Sequence, residues 1–478
     1  MRKLFTLLLF STIYILPCQA QQDHFFATMD QNSAEKYVLR FPEGIEIIAT
    51  ENTVCAVKMT TEIAEIIKKE VKTHGSNYIF MPSIDNAIEA VQLSGNRPAA
   101  IDFTITETAF VNECLDLISV ENIEQNIIEL QNYGTRHHSK PQARQAVLDQ
   151  KMKWDNWIAA TGRTDIHTRI YEHQNTPMPS VILTIDGANN ADEYVIVGGH
   201  IDSTTWNPSV APGADDNASG IASLNEMVRV LLEKNFIPSR TVEVMAFAAE
   251  EIGLVGSGEI AQHYKQNNKN VLAYVQFDMT GYNGSSDDVY IMTDYYTSSD
   301  LNLYLTQLMD HYNSSGDHSF SYNYSECGYG CSDHASWAAN GYSASMPFEA
   351  AMGEDNPFIH TANDIFSVLE TGEHAAKFAK LGLQFIVEAA KPQIMNTTQF
   401  NSPSVTIYQR GRELFYSIAD NWIIDRINIL NATGQKVQSF SPEPKESNIH
   451  LDTLASGIYL IEFKTSTGFR AIRKILIF

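Results

Sequence analysis

The chain has 478 residues, 44% of them hydrophobic and 10% aromatic, with a formal net charge of -24. It is too long for one ordinary domain and too apolar to be disordered throughout. So acidic a chain offers no basic face to neutralise phosphates, and a nucleic-acid partner is not expected.

The chain opens MRKLFTLLLFSTIYILPCQAQQ. Arg2 and Lys3 precede an apolar run from Leu4 to Leu16, too short to cross a bilayer, and Ala20 is a small residue suited to cleavage. Residues 1–20 are therefore expected to be a secretory signal peptide, taking Cys18 with them. No later stretch is apolar enough to span a membrane. Residues 21–115 combine strand-like runs (YVLRF, IEIIA, AAIDFTITETAFV) with one helical run, TEIAEIIKKEVKTHG. They carry no catalytic motif, which suits a pro-segment ahead of an exported enzyme, or an accessory domain.

From 116 to 393 strands and helices alternate. SVILTIDG, EYVIVGGH, TVEVMAFAA, NVLAYVQFD and DVYIMT read as strands. ASGIASLNEMVRVLLEK places Ile221, Leu224, Val228 and Leu231 on one helical face. GLVGSGEIAQHYKQ, SDLNLYLTQLMDHY and HAAKFAKLGLQFIVEAAK also read as helices. The alternation predicts an α/β fold with a largely parallel central sheet flanked by helices. Residues 394–402 read as a polar linker. Residues 403–478 are strand-rich and carry nine Lys and Arg against seven Asp and Glu. They predict a small all-β sandwich and place the acidity upstream.

Cys327 and Cys331 stand in ECGYGCSDHASW; in an exported chain so close a pair points to a disulfide rather than a metal site. Cys55 and Cys114 could pair with each other or stay free.

Five places between 198 and 360 carry chemistry. VIVGGHIDS presents His200 and Asp202 after an apolar strand, and APGADDNASG places Asp215 and Asp216 before an amphipathic helix. AAEEIG ends a strand at Glu250 and Glu251, VQFDMT ends one at Asp278, and NPFIHTANDIF offers His360 in a loop. Singly, each has a bland explanation: a helix cap, a solvated turn, a loop histidine. Together they cluster at the carboxyl ends of strands, where open α/β sheets bind ligands. His200, Asp216, Glu251, Asp278 and His360 form a mixed nitrogen and oxygen donor set suited to zinc. Five donors exceed one open catalytic zinc and match two metals sharing a carboxylate.

GGHIDS, APGADDNASG, AAEEIGLVGS, QFDMT, CGYGCSDHASW, MPFE and IHT occur in that order. Over residues 116–393 the chain resembles the secreted dinuclear-zinc aminopeptidases typified by bacterial leucyl aminopeptidase. The resemblance implies two Zn2+ per chain, one on His200 and Asp278, the other on Glu251 and His360, with Asp216 bridging. It implies Glu250 as general base, Asp202 as the carboxylate orienting His200, and Tyr329 as a hydroxyl that steadies the tetrahedral intermediate. It also implies a cis Asp216–Asn217 bond. Met279, Met292, Cys327, Cys331, Met346, Phe348 and Ile359 match its substrate pocket. Met352 and Asp355 stand where the leucyl enzyme has aromatic residues, which implies a wider or more polar pocket mouth. The substrates would be peptides with a free N-terminus, and a monomer is expected.

INILNATGQKV, LDTLASGIYLIEF and the final RKILIF resemble the sorting domain of type IX secretion. That resemblance implies a secretion machinery as partner and an extracellular or outer-membrane-surface address. The alternative for this domain is a carbohydrate-binding or adhesive sandwich. Two other activities suit the catalytic fold, a glutaminyl cyclase-like acyl transfer on one zinc and a metallo-carboxypeptidase. The latter needs a cationic group for the substrate carboxylate, and the motifs supply no arginine.

Overall fold

Apolar runs separated by short turns build the first layer: β1 (His24–Asp30), α1 (Gln31–Arg40), β2 (Ile45–Glu51), β3 (Val54–Thr60), α2 (Thr61–Glu70), β4 (Ile79–Met81) and α3 (Ile84–Leu93). The structure is a computed structural model that describes residues 24–70, 74–93, 104–393, 405–418, 424–431, 435–441, 446–465 and 470–477. The expected signal peptide (1–20) and linker (394–402) lie outside the described residues. The four strands form an antiparallel sheet ordered β2-β3-β1-β4, the β-α-β-β-α-β arrangement of ferredoxin-like domains. Ala27, Met29, Tyr37, Val57 and Ile67 share one core. A second cluster joins Ala56, Ile79, Ala87 and Val91 of this layer to Leu254, Tyr296 and Ala335 of the next.

Two expectations in this region change. YVLRF is not a strand; it lies in α1, apart from its last residue, Phe41, which caps the helix. The Asp30 carboxylate caps that helix by accepting from the Ser33 N–H, and Ala34 and Tyr37 bury one face three residues apart. The described part of AAIDFTITETAFV is likewise no strand. Residues 104–107 run irregularly and α4 (Thr108–Leu115) follows, burying Val111, Cys114 and Leu115. Those three belong to the main apolar core, so that core reaches upstream of the boundary expected at 115/116. The Glu388 carboxylate fastens the approach by accepting from the Thr106 and Glu107 N–H groups.

The main layer continues with α5 (Val120–Gln131), α6 (Pro141–Thr161), β5 (Ile166–Tyr171), β6 (Ser180–Ile185), β7 (Asn190–His200), α7 (Gly220–Glu233), β8 (Arg240–Phe247), α8 (Val255–Gln266) and β9 (Asn270–Gln276). Then come β10 (Val289–Met292), α9 (Ser299–Tyr312), β11 (Tyr322–Ser325), α10 (His334–Ala339), β12 (Ala344–Ser345), β13 (Pro347–Phe348), α11 (Phe366–Leu369) and α12 (Glu373–Ala390). The six-stranded sheet is ordered β12-β9-β7-β8-β6-β5. β12, β9, β7 and β8 are parallel neighbours, while β6 and β5 add an antiparallel edge. The predicted strand DVYIMT forms β10, but pairs with β11 and β13 in a separate three-stranded sheet.

Strand alternation sorts the core into two halves. Val195, Val197, Val242 and Val244 face α6, α7 and α12 in the larger cluster. Ile196, Met245, Phe247 and Tyr274 face α8 and α10 on the other side. Cys55 lies buried in the first layer and Cys114 in the main core, both as free thiols. Cys327 and Cys331 are joined by a disulfide. Among the described residues no helix is long and apolar enough to cross a membrane.

A second compact unit follows Gln393. Its strands are β14 (Val405–Arg410), β15 (Glu413–Ile418), β16 (Ile424–Asn431), β17 (Lys436–Phe440), β18 (Glu446–His450), β19 (Gly457–Thr465) and β20 (Arg470–Ile477). They form antiparallel sheets ordered β14-β15-β18 and β17-β16-β19-β20. Leu414, Tyr416 and Ile449 of one share a core with Ile427, Ile461 and Phe463 of the other, as the all-β expectation required.

Trp337 of α10 is fully buried and stacks on Tyr274 of β9, ring centroids 4.9 Å apart. Trp337→Ala is expected to cost about 3–5 kcal/mol, read as a lower urea midpoint with an unchanged slope.

Candidate metal centre

The carboxyl ends of β7, β8 and β9 point the same way and deliver His200, the Glu250–Glu251 turn and Asp278 to one place. Residues 214–219 form a kinked turn ahead of α7 that adds Asp216, and the Asp216–Asn217 peptide bond is cis. His360 arrives on the loop before α11. Ala249, Met279 and His360 all have φ between 53° and 57° without being glycine. Left-handed residues of this kind persist only where the surroundings hold them.

Two donor sets overlap at Asp216. On one side His200 Nε2 lies 3.1 Å from Asp216 Oδ1 and 3.2 Å from Asp278 Oδ1. On the other, His360 Nε2 lies 3.0 Å from Asp216 Oδ2 and 3.2 Å from Glu251 Oε2. The two oxygens of Asp216 thus face different histidines. Ligands bonded to zinc at about 2.0–2.1 Å in tetrahedral geometry stand about 3.3–3.4 Å apart, close to these separations. Both oxygens of Asp216, both of Glu250, Glu251 Oε1 and His360 Nε2 are buried with no aligned hydrogen bond. Buried polar atoms are normally partnered; here the donor chemistry and the spacing fit a pair of divalent cations.

Electrostatics agree. Burial works against charge on Asp216, but His200 and His360 outweigh it and hold its carboxyl well below the usual range. Burial also disfavours charge on Asp278, and the His74 and His200 imidazoles overcome it. Glu250 goes the other way. Burial pushes its carboxyl well above the usual range, opposed by His200 and reinforced by Glu251, Asp333 and Asp278.

A second ring of groups aims the donors. The Asp202 carbonyl accepts from His200 Nδ1 at 3.2 Å, and its carboxylate oxygen lies 3.4 Å from the same nitrogen. That carboxylate also accepts from the Glu250 and Glu251 N–H groups at 3.1 and 3.4 Å. Asp202 therefore positions the glutamate turn as well as His200, a role the sequence reading lacked. The Asp364 carboxyl accepts from the Asp215 and Asp216 N–H groups. The Asn217 side chain ties α7 to the end of β9: it donates to the Phe277 carbonyl and accepts from Gly220 and Met279. A Cβ on Gly220 would lie 2.4 Å from that carbonyl, so only glycine lets the two elements approach. Ser332 donates to Asp278 Oδ2 at 2.5 Å.

Sequence reasoning missed three members of this ring. Glu349 and Asp364 stood inside quoted motifs, MPFE and NPFIHTANDIF, without a role. Burial raises both carboxyls well above the usual range, and Glu349 shares a hydrogen bond with Asp215. Arg136 had no motif at all. It is fully buried and donates to the carbonyls of Leu130, Ile201, Pro212 and Gly213, pinning the segment that leads from His200 to Asp216.

Beside the donors lies an apolar cluster of Met279, Met292, Cys331, Met346 and Phe348, with Cys327, Tyr329, Met352 and Ile359 at its margin. The seven residues matched to the pocket are all in it, and so is Met352. A cleft of about 610 Å³ reaches Ile359 and His360 and is walled by Lys68 and Lys69 of α2, His137 and Trp206. The Tyr329 hydroxyl donates to the carbonyl of His74. His74, from the first layer, stands in the donor group with His200, Asp216 and Asp278, and the sequence reading had not singled it out.

Comparison with known proteins agrees in both units. Residues 180–385 match the model of Peptidase family M28, and residues 413–478 match the Secretion system C-terminal sorting domain. A "Probable leucine aminopeptidase" of Arthroderma benhamiae is 32% identical over 336 residues, 68% of this chain and 89% of the relative. Among solved structures, the LapA aminopeptidase of Legionella pneumophila is 29% identical with a TM-score of 0.65, covering 77% of this chain and 99% of its own. LapB from the same organism is 27% identical with a TM-score of 0.67, covering 77% and 100%.

Arg136→Met removes the side-chain donor from four carbonyls, of which those of Leu130 and Gly213 keep a backbone N–H. It is expected to cost at least about 3 kcal/mol in urea unfolding and to lower the metal content of the purified protein.

Proposed function

The chain belongs to Peptidase family M28 and ends in a secretion-system sorting domain, and from that premise we propose that it is an exported, zinc-dependent aminopeptidase. The observation that carries the reading is Asp216: a buried carboxylate with one oxygen toward His200 and the other toward His360, and no aligned hydrogen bond on either. In this reading His200, Asp278 and Asp216 hold one zinc, and Asp216, Glu251 and His360 hold the second. Zinc, when bound, polarises a carbonyl and makes water a nucleophile near neutral pH.

The chain's own groups do the rest. Glu250 takes the proton of the attacking water and returns it to the leaving amine. Its two unpartnered oxygens and raised affinity for a proton suit both halves of that task. Asp202 holds the Glu250 and Glu251 N–H groups, so that base and ligand diverge from a fixed turn. The Tyr329 hydroxyl, once free of its carbonyl partner, donates to the developing oxyanion. The methionine-lined cluster receives an apolar first side chain, since flexible thioethers adapt to different shapes.

A carboxypeptidase needs a cation for the substrate carboxylate. Arg136 is committed to four backbone carbonyls, which leaves Lys68 and Lys69 of the cleft wall, and an unblocked peptide set against its N-acetylated twin decides that case. The other alternative loses support outright. A one-zinc acyl transferase leaves the second donor set on Asp216 without a purpose.

The test is release of amino acids from an unblocked peptide and its N-acetylated twin, with and without chelator. Only the unblocked peptide without chelator should be cleaved; equal cleavage of both peptides contradicts an aminopeptidase. Glu250→Gln is expected to keep the bound zinc while losing about 10²–10⁴-fold in kcat, whereas Glu251→Gln lowers the zinc content, as metal analysis of both variants will show.

A further inference from the structure

His74 follows α2 in the first layer, yet its ring sits among the catalytic donors. It is 1% exposed. Its Nε2 lies 3.2 Å from Asp278 Oδ2, which Ser332 also contacts, and 3.9 Å from Asp216 Oδ1. The ligand atoms of His74, His200, Asp216 and Asp278 all lie within 4.8 Å of one another.

The rest of the residue is fastened as a metal-binding histidine needs. Its Nδ1 lies 2.8 Å from the Cys331 carbonyl. A carbonyl can only accept, so Nδ1 carries the proton and Nε2 is the nitrogen that faces the carboxylates. Its own carbonyl takes the Tyr329 hydroxyl. Gly75 follows at φ +82°, and a Cβ there would stand 2.4 Å from the Cys331 oxygen, so glycine permits the close approach. The ring packs beside Phe348 of the apolar pocket, centroids 6.0 Å apart. Behind it the apolar seam of Ala56, Ile79 and Val91 against Leu254 and Ala335 holds the layer down, and the Phe80 N–H donates to the Gly253 carbonyl.

We propose that His74 is a fourth protein ligand of the ion held by His200, Asp216 and Asp278, making the first layer (residues 24–93) a built-in inhibitor of the site. The inference rests on the dinuclear reading above. Four protein donors close a tetrahedral zinc, whereas a catalytic zinc keeps a position open. The second set, Asp216, Glu251 and His360, offers three. One histidine thus blocks a metal position, engages the oxyanion tyrosine and borders the side-chain pocket. A substrate must displace an intramolecular competitor, so the block appears in KM.

The test compares the intact chain with His74→Ala and His74→Asn. The asparagine keeps an N–H for the Cys331 carbonyl but has no atom at the Nε2 position. Zinc content, zinc X-ray absorption and kinetics on an aminoacyl-nitroanilide are measured for all three. The expected result is two zinc ions in each, three imidazoles per pair of ions in the parent and two in both variants, and a KM at least about tenfold lower in both variants. If the parent binds two zinc ions and cleaves, and both variants match it in imidazole count and KM, this inference falls while the function stands. If no form binds zinc or cleaves, both fall together.

Discussion

Burial of negative charge is the constraint on which this structure depends. Asp202, Asp215, Asp216, Glu250, Glu251, Asp278, Asp333, Glu349 and Asp364 are all at most 3% exposed and lie in or behind one site. An uncompensated buried carboxylate costs several kcal/mol. Most are answered within the protein. Asp202, Asp215 and Asp364 accept backbone N–H groups, Asp333 accepts from Gln276, burial raises the Glu349 carboxyl, and Asp216, Asp278 and one oxygen of Glu251 face imidazoles. Both oxygens of Glu250 and the other oxygen of Glu251 receive no such answer, and that remainder is where cations belong.

The same constraint explains the scaffold. A parallel sheet ends its strands together, so β7, β8 and β9 can deliver donors from distant parts of the chain without a long loop. Arg136 and Asn217 then fix the segment 201–217, which carries Asp216 and is not a strand end. The antiparallel edge of β6 and β5 contributes no donor; it completes the hydrophobic faces on which α6 and α8 pack.

Much of this was legible in the sequence because the site obeys a positional rule. His200, Glu250, Glu251 and Asp278 each follow an apolar run, and the pocket residues sit in recognisable motifs. The parts that were not legible depend on tertiary contact. YVLRF has strand composition, but Asp30 and the Ala34–Tyr37 face make it helical. TAFVNECL is rich in β-formers, and only burial of Val111, Cys114 and Leu115 decides for helix. Arg136 has no local pattern, since its partners are backbone carbonyls. His74 ends a helical run with no strand before it, and nothing short of the docked layer reveals where its ring goes.

The account's central claim is that Asp216 bridges two metal ions. Anomalous diffraction at the zinc edge from crystals of the purified protein tests it most directly. The account predicts two peaks about 3.5–4 Å apart, one beside His200 and Asp278, the other beside Glu251 and His360, with one oxygen of Asp216 toward each. A single peak in fully zinc-loaded crystals, or a pair whose ligands exclude Asp216, would contradict it.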